Sequence, residues 1–388
     1  MKKIFLIAFL LFSVTTFSQE PKLSHYWMDK IGQNPALVGD GVSLDFHFMN
    51  RFQWVGLNSK FNTYNFSADT YIAGGDHTGL GVGINLQQNQ EGDGNLRTQK
   101  AEIAFSGWEI FKSHAEFSLG GCVGVIGKSI TDNFAYSNQI DPVLGFIYPK
   151  PAFPIDTETG MKIYGKVGFL SKIYLGDDYN KSSSTSYLSN YILFGYSRSI
   201  GKPNLTFFNN TGYTLPTVDC IHANLNIRIG EGNGKSANWV LIQPYFLTHR
   251  SRYLDKSYFN STTLGSRFIS PIGQLFAGYR FDKINNVLEG LSNKYKRDAL
   301  VIGFAFTPSY YANTKNRLSK GESKVSIHFS CDFNINGLIS NNINATRPWP
   351  SFEGGIIVKL PTKWSLSRYS SRYQGHKRLV DCSAYSTY

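Results

Sequence analysis

A period of two runs through most of this chain, and it limits the possible folds more than any other feature. Between Leu44 and Trp54 the apolar residues Leu44, Phe46, Phe48, Phe52 and Trp54 alternate with Asp45, His47, Arg51 and Gln53; only Asn50 interrupts the apolar row. Leu80, Val82, Ile84 and Leu86 stand against Gly79, Gly81, Gly83 and Asn85 in the same way. So do Ala101, Ile103 and Phe105 against Lys100, Glu102 and Ser106, and Ile221, Ala223, Leu225, Ile227 and Ile229 against His222, Asn224, Asn226 and Arg228. Val325, Ile327, Phe329, Cys331 and Phe333 oppose Lys324, Ser326, His328 and Asp332, and 274–282 and 351–360 behave similarly. This alternation predicts strands with one apolar and one polar face. Stretches such as "QEGDGN", "GEGNGKSAN" and "LSKGESK" supply the turns between them.

Three architectures accept such strands. A sandwich buries one face of each strand in a thin core and rarely reaches so many strands. A β-helix needs a short fixed repeat, and the sequence has none. A transmembrane barrel takes segments of about ten residues, apolar toward lipid and polar inward, and closes so that no edge is left in the bilayer. The segments have that length, and their polar rows carry charges that a dry core does not tolerate unpaired. Aromatic residues make up 15% of the chain and charged residues 17%, the latter below the roughly 25% of typical soluble domains. The expected fold is therefore all-β, a transmembrane antiparallel outer-membrane β-barrel of about 14 strands. Leu44, Phe46, Phe48 and Phe52 would face lipid, with Trp54 in the interfacial belt.

The opening "MKKIFLIAFLLFSVTTFSQE" has a positive start at Lys2 and Lys3, an apolar run from Ile4 to Phe12 and small residues before Gln19. It reads as a secretory signal over 1–18, too short for a spanning helix of about 20 residues. The chain then divides into an N-terminal periplasmic segment (19–40), the barrel (41–361) and a basic C-terminal tail (362–388) carrying Lys363, Arg368, Arg372, Lys377 and Arg378. The formal charge, 39 − 27 = +12, suits anionic lipid or an acidic protein. No nucleic-acid-binding motif accompanies it.

Signals for chemistry are poor. The eight histidines form no HExxH pair, no GxSxG elbow is present, and the glycines at 79, 81 and 83 do not open a helix. "EGDGN" (91–95) lacks the ligand spacing of a calcium loop. Cys122, Cys220, Cys331 and Cys382 are scattered without metal-ligand spacing. A non-enzymatic chain without metal or cofactor is expected. The more useful constellation is the set of charges on predicted interior rows: Asp45, Arg51, Lys100, Glu102, Arg228, Arg280, Asp282, Lys324, Asp332, Glu353 and Lys359. These either cross-brace a polar lumen or hold a plug or a partner's polypeptide. The segment 133–160, with Pro142, Pro149, Pro151 and Pro154 among several aromatics, is a long irregular connection of the kind that docks partners or folds inward.

"NPALVG" followed by "RFQWVGL", shortly after the predicted signal, resembles the PorP/SprF family of outer-membrane proteins. The matching positions are Asn34, Pro35, Ala36 and Gly39, then Arg51, Gln53, Trp54 and Gly56, with "FSAD" (66–69) and "GLGVGI" (79–84) behind them. Similarity at the level of motifs covers about residues 19–95; the stretch "FPIDTETGMKIYGKVGF" matches loosely and the basic tail departs from the pattern. The resemblance implies a barrel that works with the type IX secretion system and with gliding. It also implies a partner, a large secreted surface adhesin carrying a type IX C-terminal targeting domain. An outer-membrane diffusion or uptake channel for small or hydrophobic solutes is the alternative.

Overall fold

The structure is a computed structural model. It describes residues 23–40, 43–53, 55, 61–73, 78–92, 96–111, 115–130, 140–141, 145–146, 158–175, 190–201, 203–205, 214–229, 240–252, 258–270, 273–285, 296–307, 324–334 and 350–361. In chain order the strands are β1 (Ser43–Gln53), β2 (Phe61–Ala73), β3 (Thr78–Glu91), β4 (Leu96–Phe111), β5 (Ala115–Ile130), β6 (Ile140–Asp141), β7 (Gly145–Phe146) and β8 (Lys162–Tyr174). They continue as β9 (Tyr191–Ile200), β10 (Thr217–Ile229), β11 (Val240–Arg252), β12 (Tyr258–Ile269), β13 (Gly273–Asn285), β14 (Lys296–Phe306), β15 (Lys324–Asn334) and β16 (Ser351–Pro361). β6 and β7 pair only with each other; the other fourteen form one closed barrel in which each strand lies antiparallel to its neighbours. The seam joins β1 to β16, with Ser43 opposite Pro361 and Phe52 opposite Phe352. Among the described residues no helix is long and apolar enough to cross a membrane.

Alternation decides which way each side chain points. Phe48 and Phe52 are exposed on β1, while Asp45, His47 and Arg51 between them are buried. On β4 and β5 the outward Phe105 (60% exposed) and Leu119 (67%) contrast with Ala104 and Ser118, which are closed off inside. A belt of exposed Leu, Ile, Val and Phe runs over nearly every strand. A surface this apolar is far larger than a soluble monomer tolerates, and lipid is the solvent that accepts it. The interior is correspondingly polar: Asn226, Gln243, Arg267, Arg280, His222 and His328 are all buried. A bulge between Tyr71 and Ala73 shifts the register of β2 against β3. Cys122, Cys220 and Cys331 sit at single strand positions and form no disulfide; Cys382 lies outside the described residues.

Candidate functional site

The lumen is occupied by the chain's own N-terminal segment. Residues 23–40, read from sequence as a segment preceding the barrel, fold as three short turns inside it: a 3-10 turn at Tyr26–Met28, a helix α1 at Lys30–Gln33 and a 3-10 turn at Pro35–Leu37. None is long enough to persist alone in water, and side chains cap the second and third. The Asp29 carboxylate accepts from the Gly32 N–H at 3.0 Å. Asn34 Oδ1 accepts from the Ala36 N–H at 3.0 Å, with Pro35 at the first helical position where its missing N–H costs nothing. Lys166 donates from β8 to the Gly32 carbonyl (2.6 Å) and the Ile31 carbonyl (3.3 Å), partners for the C-terminal end of α1.

Two ionic clusters fasten this plug at opposite ends. In the first, Glu353 of β16 accepts from the Ser24 and His25 backbone N–H groups, each at 2.7 Å, and meets His25 Nδ1 at 2.6 Å. Arg51 of β1 donates to Ser24 Oγ (2.6 Å), to Glu353 (3.1 Å) and to Asp332 of β15 (2.6 Å). Arg280 of β13 also pairs with Asp332, and Ser24 Oγ donates to that carboxylate at 2.6 Å. Two guanidiniums thus face two carboxylates, all buried, which is the balance a low-dielectric interior requires.

In the second cluster Lys30 Nζ, from α1, lies 2.9 Å from Asp40, 3.1 Å from Asp69 and 3.6 Å from Asp45, and Lys359 approaches Asp45 at 3.2 Å. Asp45, His47 and Asp69 offer ligand atoms within 4.8 Å of one another, a grouping that can hold a divalent ion. Lys30 already contacts both carboxylates, so the cation at this position is supplied by the plug itself.

The rest of the interface is built for close approach. A Cβ on Gly120 would collide with the backbone of Pro35 and Ala36, and one on Gly168 with the Asn34 side chain. Gly39, at φ +65°, packs against Gly81 while its N–H donates to Asp69 at 2.9 Å. Gly81 and Gly83 therefore serve plug packing. Serines from the wall satisfy plug carbonyls: Ser118 donates to Ala36 O at 2.8 Å and Ser67 to Met28 O at 3.3 Å, with Ser106 and Ser197 reaching Val38 O and Gln33 O. On the far side Arg267 stacks over the Trp27 ring at 3.8 Å, its guanidinium held by Gln243 Oε1 (2.7 Å) and Gln274 Oε1 (2.9 Å).

Of the residues singled out from sequence, Asn34, Pro35, Ala36 and Gly39 belong to the plug, and Arg51, Asp45, Arg280, Asp332, Glu353 and Lys359 to its two ionic clusters. Glu102 flanks α1, bound by Tyr164 Oη at 2.6 Å and Asn85 Nδ2 at 2.7 Å. Lys100, Arg228 and Asp282 stand half-buried on inward rows, and Gln53 ends β1 opposite Phe61. Lys324 pairs with Lys359 across β15 and β16, but its side chain lies outside the described residues, as do Trp54 and Gly56. Most of 133–160 is likewise outside them. Sequence reasoning missed Ser24, His25, Lys30 and Trp27, which sit in no periodic stretch, and Arg267, whose strand YFNSTTLGSRFI lacks a clean alternation.

A model of the type IX secretion system membrane protein PorP/SprF matches residues 15–345. No curated protein matches. Among solved structures, a TodX deltaS2S3 mutant monoaromatic hydrocarbon channel is 9% identical at a TM-score of 0.42, covering 86% of this chain and 94% of that one. A Pseudomonas aeruginosa FadL homologue is 9% identical at 0.38, covering 82% and 88%. The translocator domain of the autotransporter NalP from Neisseria meningitidis is 8% identical at 0.34, covering 84% and 90%.

Proposed function

Since the chain belongs to the PorP/SprF family of type IX secretion system membrane proteins, we propose that it works in the outer membrane as a plugged, non-enzymatic barrel. In this reading it supports the secretion and cell-surface attachment of a large adhesin bearing a C-terminal targeting domain, in a gliding apparatus. Residues 1–18 direct its export.

The observation that carries this reading over a diffusion channel is the plug. Residues 23–40 contact inward side chains of the wall from β1 round to β16 through buried ion pairs and backbone hydrogen bonds. Removing one partner of such a pair costs about 3–5 kcal/mol, so several together hold the plug far more firmly than solute traffic through the lumen would allow. A scaffold that presents its surface to partner proteins has no need of an open pore.

Deletion of the gene is the test. Loss of one large protein from the surface of intact cells, restored by the intact gene, is the expected result. Unchanged surface proteins, together with open ion-conducting pores formed by the purified barrel, would establish the channel instead.

A further inference from the structure

One row of residues crosses five strands on the outside of the barrel: Arg198 pairs with Asp219, Asp219 with Arg250, Arg250 with Asn260, and Asn260 with Lys283. Their chain neighbours Ser197, Ser251, Phe259 and Ser261 are buried, so alternation turns the row outward. Arg252 stands one step further along β11, and its guanidinium meets Asp219 at 3.0 Å. Arg198 approaches the same carboxylate at 3.7 Å, and Arg250 lies 4.3 Å over the Tyr258 ring. The Arg198 and Arg252 side chains remain 48% and 50% exposed, and Lys283 is exposed. Four cations therefore line this face with one carboxylate, which pairs with two of them, and a single acid cannot neutralise all four.

The height of the row gives it meaning. On the side of the chain ends, the outward residues are apolar: Phe194, Leu264 and Tyr279, then Ile227, Phe268 and Leu275. Asp219 and Ile229 bracket this band on β10, ten residues apart; at about 3.3 Å per residue and a tilt of about 40° that is a rise of about 25 Å, the height of a barrel's apolar band. The cations sit at its upper edge, at headgroup level, and on the side opposite the start of β1 and the end of β16.

We propose that Arg198, Arg250, Arg252 and Lys283 form a lipid site that takes the phosphate groups of an anionic glycolipid. Asp219 positions Arg198 and Arg252, and Tyr258 supports Arg250, so the guanidiniums are held for bidentate contact with phosphate. The choice of a phosphorylated glycolipid rests on the outer-membrane reading above, because this face then meets the outer leaflet. The site itself needs only the membrane barrel.

Titration of the purified full-length barrel in maltoside micelles with diphosphorylated lipid A, its dephosphorylated form and phosphatidylglycerol tests this, with binding read by native mass spectrometry. Lipid A should bind wild type, and R198Q/R250Q should bind it about thirtyfold more weakly, the loss entailed by two membrane-surface cations. R97Q, which removes an outward arginine from β4, should match wild type. Equal binding by the double variant, or by the dephosphorylated lipid, would overturn the site. Tighter binding of phosphatidylglycerol, or displacement by inorganic phosphate, would overturn the glycolipid as its ligand. A heat-shift gel reports folding; if R198Q/R250Q fails to fold, K283Q gives the same reading at about a fivefold loss. The measurement is independent of whether any adhesin reaches the surface.

Discussion

Arg51 Nη2 and Asp332 Oδ2 lie 2.6 Å apart although 281 residues separate them in sequence, and Ser24 Oγ bonds to both side chains. The pair couples two strands near the seam to the plug. Arg51→Ala leaves Asp332 and Glu353 short of a buried counter-charge, and a loss of about 3–5 kcal/mol follows. Thermal unfolding of the detergent-solubilised barrel measures it. Asp332→Ala made on top of Arg51→Ala should cost less than the same change made alone; strict additivity would show that the two do not interact.

Lys30 carries the other end. Lys30→Met places a methyl beside Asp40, Asp45 and Asp69, which then repel one another without a cation from the plug. The plug should leave its seat, and single-channel recording in planar bilayers should show conductance that the wild-type barrel lacks. A closed variant would mean that the first cluster and the Trp27–Arg267 stack suffice.

Gly120 tests the packing. Gly120→Val aims a branched side chain at the backbone of Pro35 and Ala36, so the barrel should form and the plug should not seat. Limited proteolysis reads this as a cut within 23–40 that wild type resists, with the heat-shift mobility of the barrel retained.

Phe105 probes the outer face. A lysine there, at the middle of an apolar strand face, should lower stability by about 2–4 kcal/mol in lipid, as cations near the bilayer midplane do. Reversible urea unfolding in vesicles measures it. The neighbouring inward position offers a control: Ser106→Ala removes only the donor to Val38 O.

Much of this architecture could be read from the chain. Strand faces were legible because a strand turns one side to lipid and the other to a polar lumen, and Asp45, His47 and Arg51 against Phe48 and Phe52 followed directly. The charges at Arg280, Asp332 and Glu353 were legible as interior charges for the same reason. What they held was not. Residues 23–40 form turns that depend on capping by Asp29 and Asn34 and on contacts more than a hundred residues away, such as Asn34 to the Phe169 carbonyl at 2.9 Å, and no local period announces such a segment. Both Asn50, half-buried on the outward row, and Asn226, inside against Gln243, interrupt or extend polar runs; only the second has a partner that explains it.

The seam between β1 and β16 also has a meaning for biosynthesis. Ser24 and His25 are made near the start of translation, yet their amide protons are received by Glu353, which emerges 329 and 328 residues later. A polypeptide interrupted before its closing hairpin would keep the Lys30 cluster but leave Ser24 and His25 without their acceptor inside an open sheet, so the earliest residues register whether the whole message was delivered.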